Sequence, residues 1–152
     1  MRKKTTPAAI SLVVGCLLTL TGCDTVSDTT LKRDFNAKKD QLSRLVQMAN
    51  QDRQLSRIDF GYSSSPLSAQ RWNQYRSLFR GAGIQSGMVR RNDFPSAIFF
   101  YVDCSGSAVD MDCKGFAYSE MPLTPVKNRL DMAPGVAFEP VSLDWYLFRD
   151  GG

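Results

Sequence analysis

The chain has 152 residues, with 19 Lys and Arg against 15 Asp and Glu, no histidine and four cysteines. That length suits one domain with a proper core and not two. The missing histidine removes the commonest general base and metal ligand, and three of the basic charges sit within the first four residues.

Arg2, Lys3 and Lys4 head the chain, and Ala8 to Leu20 follows as an apolar run broken only by Ser11, Gly15 and Thr19. It falls short of the about 20 residues that a membrane-spanning helix needs. A basic head, a short apolar stretch and small residues before a cleavage point make a secretory signal peptide. Leu20-Thr21-Gly22-Cys23 closes it. This stretch resembles the lipobox of bacterial lipoprotein precursors, a leucine, two small residues and an invariant cysteine. The resemblance covers residues 1–24. It implies that Cys23 receives a diacylglycerol thioether, that type II signal peptidase cuts before it, and that Cys23 becomes the acylated first residue. Acyl chains contribute about 0.8 kcal/mol per buried methylene, ample for stable anchoring when more than one is present. Cys16 lies in the discarded segment. Asp24, directly after the lipidated cysteine, resembles the enterobacterial signal that holds a lipoprotein at the inner membrane; Thr25 adds little to it. The expected place is the periplasmic face of the inner membrane, with the outer membrane as the alternative.

Residues 1–22 carry three basic charges and no acidic one, so 16 basic less 15 acidic leaves the mature chain at +1. Nucleic-acid binding, which a basic excess would suggest, loses support by charge and by compartment. Between Lys32 and Arg91 there are 12 basic and 4 acidic residues; from Asn92 onward there are 4 and 9. The basic half either lies against anionic headgroups, where each Lys or Arg contributes about 1 kcal/mol, or forms a solvated helical surface.

The expected organisation is a signal peptide over 1–22, a lipidated polar tether over 23–30 and one domain over 31–152. Leu31, Phe35, Leu42, Leu45, Val46 and Ala49 recur at helical spacing, which predicts an amphipathic helix from about Leu31 to Arg57. Clean a and d heptads are lacking, so packing on its own domain is favoured over a coiled coil. Ser65 as cap and Pro66 at the first helical position predict a second helix running to about Arg80. It carries Trp72, Tyr75 and Phe79 on one side, flanked by Arg71, Arg76 and Arg80. Such a weave can stack on sugars or clasp phosphates, or form a core face edged by snorkelling arginines. Gly81 to Gly87 (GAGIQSG) misses the dinucleotide fingerprint by one residue and follows a helix instead of a strand. Glycines there read as helix C-caps.

Beyond Met88 the pattern turns to strands. Ala97 to Val102 is continuously apolar, as in a central strand covered on both faces, and Gly115 to Ser119 reads as its hairpin partner. Val136 to Val141 and Leu143 to Phe148 form two more, with Pro140 confining the first to an edge or ending it. Met121 to Pro134 holds three prolines and reads as irregular. The fold class is α+β, two N-terminal helices followed by a small antiparallel sheet of about four strands. Tyr75-Arg76, Phe79, Gly83-Ile84, Gly115 to Ser119, Pro122, Leu130-Asp131 and Trp145 to Leu147 resemble a pattern in a family of exported proteobacterial proteins. The likeness implies one folded unit and no particular activity.

Cys104 and Cys113 are the two cysteines left after processing, an even pair in an oxidising compartment, and are expected to form a disulfide. No G-x-S-x-G and no S-x-x-K occurs. Asp103, Asp110 and Asp112 could form an oxygen cage for calcium, but the spacing is not that of an EF-hand; no metal and no cofactor is expected. Arg71, Arg76, Arg80, Arg90 and Arg91 are candidate partner-binding residues. The favoured function is binding, as a lipid-anchored accessory or scaffold of a membrane or periplasmic complex, with an envelope protein as partner. Two alternatives are kept. One is an inhibitor of a cell-wall hydrolase, on the Ser105-Gly106-Ser107 likeness to the loops of all-β lysozyme inhibitors. The other is a glycan-active enzyme using Asp103, Asp112 and Glu120 alone.

Overall fold

The computed structural model describes residues 26–106, 111–124 and 135–151. The signal segment, Cys23 and Asp24 lie outside the described residues, as do Asp110 of the acidic loop and residues 125–134 of the proline-rich stretch. The architecture is α+β: helices α1 (Asp28–Gln51) and α2 (Ala69–Ala82) against one antiparallel sheet. The sheet has six strands, not about four: β1 (Arg57–Ile58), β2 (Gly87–Val89), β3 (Ile98–Gly106), β4 (Met111–Tyr118), β5 (Val136–Ser142) and β6 (Trp145–Gly151), in the order β1-β2-β3-β4-β6-β5. The two extra strands are two and three residues long, too short to carry any periodicity.

Helix α1 begins inside the expected tether. Ser27 takes extended backbone angles and its hydroxyl accepts the Thr30 N–H, with Asp28 in the first turn where the helix dipole favours it. The helix also ends before Arg57, because Asp52 leaves helical angles and Leu55 turns inward to full burial. Its buried stripe is Leu31, Phe35, Leu42, Leu45, Val46 and Ala49, the six positions of the sequence pattern. In α2 the cap is Ser68, whose hydroxyl accepts the Arg71 N–H, and not Ser65. The Ser65 hydroxyl donates to Gln54 O, which holds Ser65 and Pro66 in the loop ahead of the helix. Gly83 ends α2 in the left-handed region at φ 72°, as a C-cap glycine should.

The continuous apolarity of β3 has a direct cause. Ile98, Phe100 and Val102 pack under the helices with Met88, Phe116, Trp145 and Leu147. Phe99 points to the opposite face, with Phe94, Ala97, Ala117, Val136 and Phe148. Burying each such aromatic or aliphatic side chain contributes about 1.5–3 kcal/mol. Phe35 joins α1 to β4 and β6, its ring 5.8 Å from that of Phe116 and 5.5 Å from that of Trp145. β5 is an edge strand, and the register slips between Pro140 and Ser142, where the proline has no N–H to give.

A bulge reshapes the β3–β4 hairpin. Tyr101 pairs with Gly115 and Asp103 with Lys114, so Val102 is the extra residue. Val102 and Asp103 both face the helix side in consequence. α1 starts over that end of the sheet, passes Glu139 (Lys32) and Ser142 (Lys39), and finishes beside Arg90 just past β2. Its 24 residues carry it about 36 Å.

Candidate functional site

The two ends of α1 hold the polar architecture of the molecule. At the start, the Val26 N–H donates to Asp103 Oδ2 at 3.1 Å and Lys114 Nζ donates to Val26 O at 3.4 Å. Arg149, on β6, donates to Asp28; that bond and the nearby Arg149 charge hold the Asp28 carboxyl below its ordinary pKa against the effect of burial. Next to these groups Cys104 and Cys113 are cross-strand partners joined as a disulfide, with Cα atoms 4.1 Å apart. The strands run past both cysteines, so the bridge lies within the ladder.

At the finish of α1 there is no basic residue in the last turn. Three arginines from outside it reach the terminal carbonyls instead, that of Met48 also accepting the Asp52 N–H. Arg71 donates to Met48 O at 3.4 Å, Arg90 to Ala49 O at 2.9 Å and Arg53 to Asn50 O at 3.3 Å. Cations there satisfy the orphan acceptors and oppose the negative end of the dipole. Arg71 also bonds Asp52 Oδ2 through Nε at 2.8 Å, and the same oxygen accepts the Tyr75 hydroxyl at 2.9 Å. Burial, reinforced by this bond to a carboxylate, pushes the Tyr75 phenol well above its ordinary value. Burial pulls Arg90 down, and its partners among the described residues are the amide oxygens of Ala49 and Asn50.

Next to this capped end an open groove of about 550 Å³ is lined by Ser56, Arg57, Val89, Arg90, Arg91, Asn92 and Asp93. Arg91 grips Asp93 with two bonds of 3.0 and 2.7 Å, reaches Asp150 with a third, and lies over the rings of Phe94 and Phe99. Burial works to lower the Arg91 pKa, but the Asp93 bond and the Asp150 and Asp93 charges more than offset it. Arg57 lines the groove with its side chain 58% exposed, bonds Asp59 at 3.2 Å and lies over the Tyr62 ring, so among the described residues it keeps donors to face a ligand.

The chain matches no protein-family model, no curated protein and no solved structure.

The five arginines singled out in the sequence are not brought onto one surface. Arg71, Arg76, Arg90 and Arg91 all donate to their own chain, Arg76 through Phe60 O at 2.6 Å. Arg80 is exposed, over the Phe60 ring. Tyr75 and Phe79 face the core, while Trp72 is half-buried beside an open groove with Arg76 stacked on it; Arg71 stacks on Tyr75. Sequence reasoning missed Arg57, Asp93 and Asp150 at the groove; the Arg-x-Asp spacing of Arg91 and Asp93 was a visible signal for one of them.

The three carboxylates of the enzyme alternative are scattered. Asp112 is the second residue of β4 while Glu120 lies beyond its far end, about 27 Å away at strand spacing. Asp103 is tied to Val26. Among the described residues no group of three or more acidic or cysteine side chains is placed to hold a metal ion, and no helix is long and apolar enough to cross a membrane.

Proposed function

We propose that the protein is a lipid-anchored component of the cell envelope, held by acyl chains on Cys23 at the periplasmic face of the inner membrane, and that it acts by binding. As an accessory or scaffold it serves a membrane or periplasmic protein complex. The observation that carries this reading is the start of the fold: Val26, three residues after Cys23, is already fastened by Asp103 and Lys114. A mature chain beginning at Cys23 retains this fastening. The groove supports the binding role. It lies at the other end of α1, about 36 Å of helix from Val26, and it offers the free donors of Arg57 beside a satisfied Arg91–Asp93 pair. That suits an acidic or carbonyl-rich surface of a protein partner. The inhibitor alternative supposed an all-β frame, and the two helices run against it.

Crosslinking the anchored protein in membranes, followed by pull-down, tests the proposal. One stoichiometric protein partner, lost in Arg57→Glu, is expected. Turnover of glycan with no partner at all would overturn it. Asp24→Ser should move the protein from inner to outer membrane fractions in a two-membrane host.

A further inference from the structure

The end of the sheet that carries the disulfide is where the anchor joins, and from this we infer that this end rests on the bilayer surface with Met111 in the headgroup layer. The inference deepens the lipid-anchor proposal and rests on it.

The reach of the chain is the first ground. Three peptide units separate Cys23 from Val26, and fully extended they span at most about 11 Å. An acylated cysteine sits at the edge of the hydrocarbon, beneath a headgroup layer about 5–8 Å thick on each side. Val26 is not free to drift from the domain, since its N–H and carbonyl are bonded to Asp103 on β3 and Lys114 on β4. The hairpin is therefore drawn to within a few ångströms of the headgroups.

Exposure of the same end is the second ground. Met111 opens β4 three residues from Lys114 and is 48% exposed, an unbranched apolar side chain half open to its surroundings. Ser105 and Gly106 beside it are exposed and uncharged.

Charge gives no competing explanation. Among the described residues the groups at this end are Asp28, Asp103, Asp112, Glu139 and Asp150 against Lys32, Lys114, Arg149 and the Arg91 that bonds Asp150, five acidic to four basic. Anionic lipid does not attract such a surface; the short tether imposes the contact, and it persists in zwitterionic membranes and at high salt. Arg53, Arg71 and Arg90 gather at the other end of α1, away from the bilayer.

Tryptophan quenching tests the orientation. Lipidated full-length Met111→Trp and Leu143→Trp are each reconstituted into phosphatidylcholine vesicles with or without bromine on the upper acyl chain. Leu143 is 84% exposed in the β5–β6 turn, at the opposite end of those strands and about 20 Å from the bridge. After subtraction of the native signal, Met111→Trp emission should fall roughly twofold, as for a side chain at the headgroup–acyl boundary; Leu143→Trp should be unchanged. Equal quenching of both, quenching of Leu143→Trp alone, or quenching of neither while the protein floats with the vesicles overturns the orientation and leaves the anchor standing. Failure of the native lipidated preparation to float with vesicles overturns the anchor, and the orientation with it.

Discussion

Replacing Cys104 and Cys113 together by serine removes the one covalent cross-link of the described domain, and its effect can be worked out from the chain. The two residues are 9 apart in sequence. Closing so short a loop in the unfolded ensemble removes entropy equivalent to about 2.6 kcal/mol at 25 °C on the chain-entropy relation. Unfolding about 120 residues carries an entropy near 2.1 cal/mol/K each, so the loss corresponds to a melting temperature about 10 °C lower. Folded-state effects are small by comparison. Cys113 is buried, but serine is nearly isosteric with it, and the hairpin is also fastened through Val26 and the β4–β6 ladder. The Cys104→Ser/Cys113→Ser protein, melted by circular dichroism beside the native protein with and without reductant, should match the reduced native form. A drop of less than about 2 °C would refute the loop-entropy reasoning. So would two thiols that alkylate in freshly isolated protein before any reductant is added.

Two further outcomes follow from particular contacts. A Cβ at Gly115 would stand 2.0 Å from Phe100 O, so Gly115→Ala should cost upwards of about 4 kcal/mol or prevent folding; a melting temperature within a few degrees of native would contradict the β3–β4 register. The carboxyls of Asp28, Asp59 and Asp93 are held below the ordinary value of 3.8 by hydrogen bonds and by arginine charges. A depressed folded pKa gives stability that is present above pH 3.8 and lost as pH falls through the lower folded value. The melting temperature should therefore be level from neutral pH to about pH 5 and fall steeply below about pH 4, and a melt at pH 3 equal to that at pH 6 would contradict the pairing.

The helices and the four long strands were legible because each buries one periodic set of side chains over many residues. Leu31 to Ala49 shows this most clearly, and so does the unbroken run of β3, apolar because both faces of the sheet are covered. β1 and β2 were not legible, since two or three residues carry no period and Gly87 was read only as a cap. Its hydrogen in place of a Cβ lets β1 approach: a Cβ there would stand 2.2 Å from Ile58 O. The far half of the hairpin hid for another reason. Asp103-Cys104-Ser105-Gly106 is polar enough to read as a loop, and the bulge at Val102 breaks the alternation that would have marked it as strand. Ser27 with Asp28 after it was a visible helix start, masked by the polar composition that suggested a tether. Arg53, Arg71 and Arg90 were legible as residues but not as fasteners, because the carbonyls of Asn50, Met48 and Ala49 have no signature in side-chain sequence.

The claim on which the functional account depends is that the mature chain begins at an acylated Cys23, and the N-terminal peptide of protein extracted from membranes tests it most directly. Intact-mass analysis should show that peptide starting at Cys23 and carrying a diacylglycerol thioether, with no peptide from residues 1–22. A peptide that begins at Met1, or one that begins at or beyond Cys23 without lipid, would contradict it.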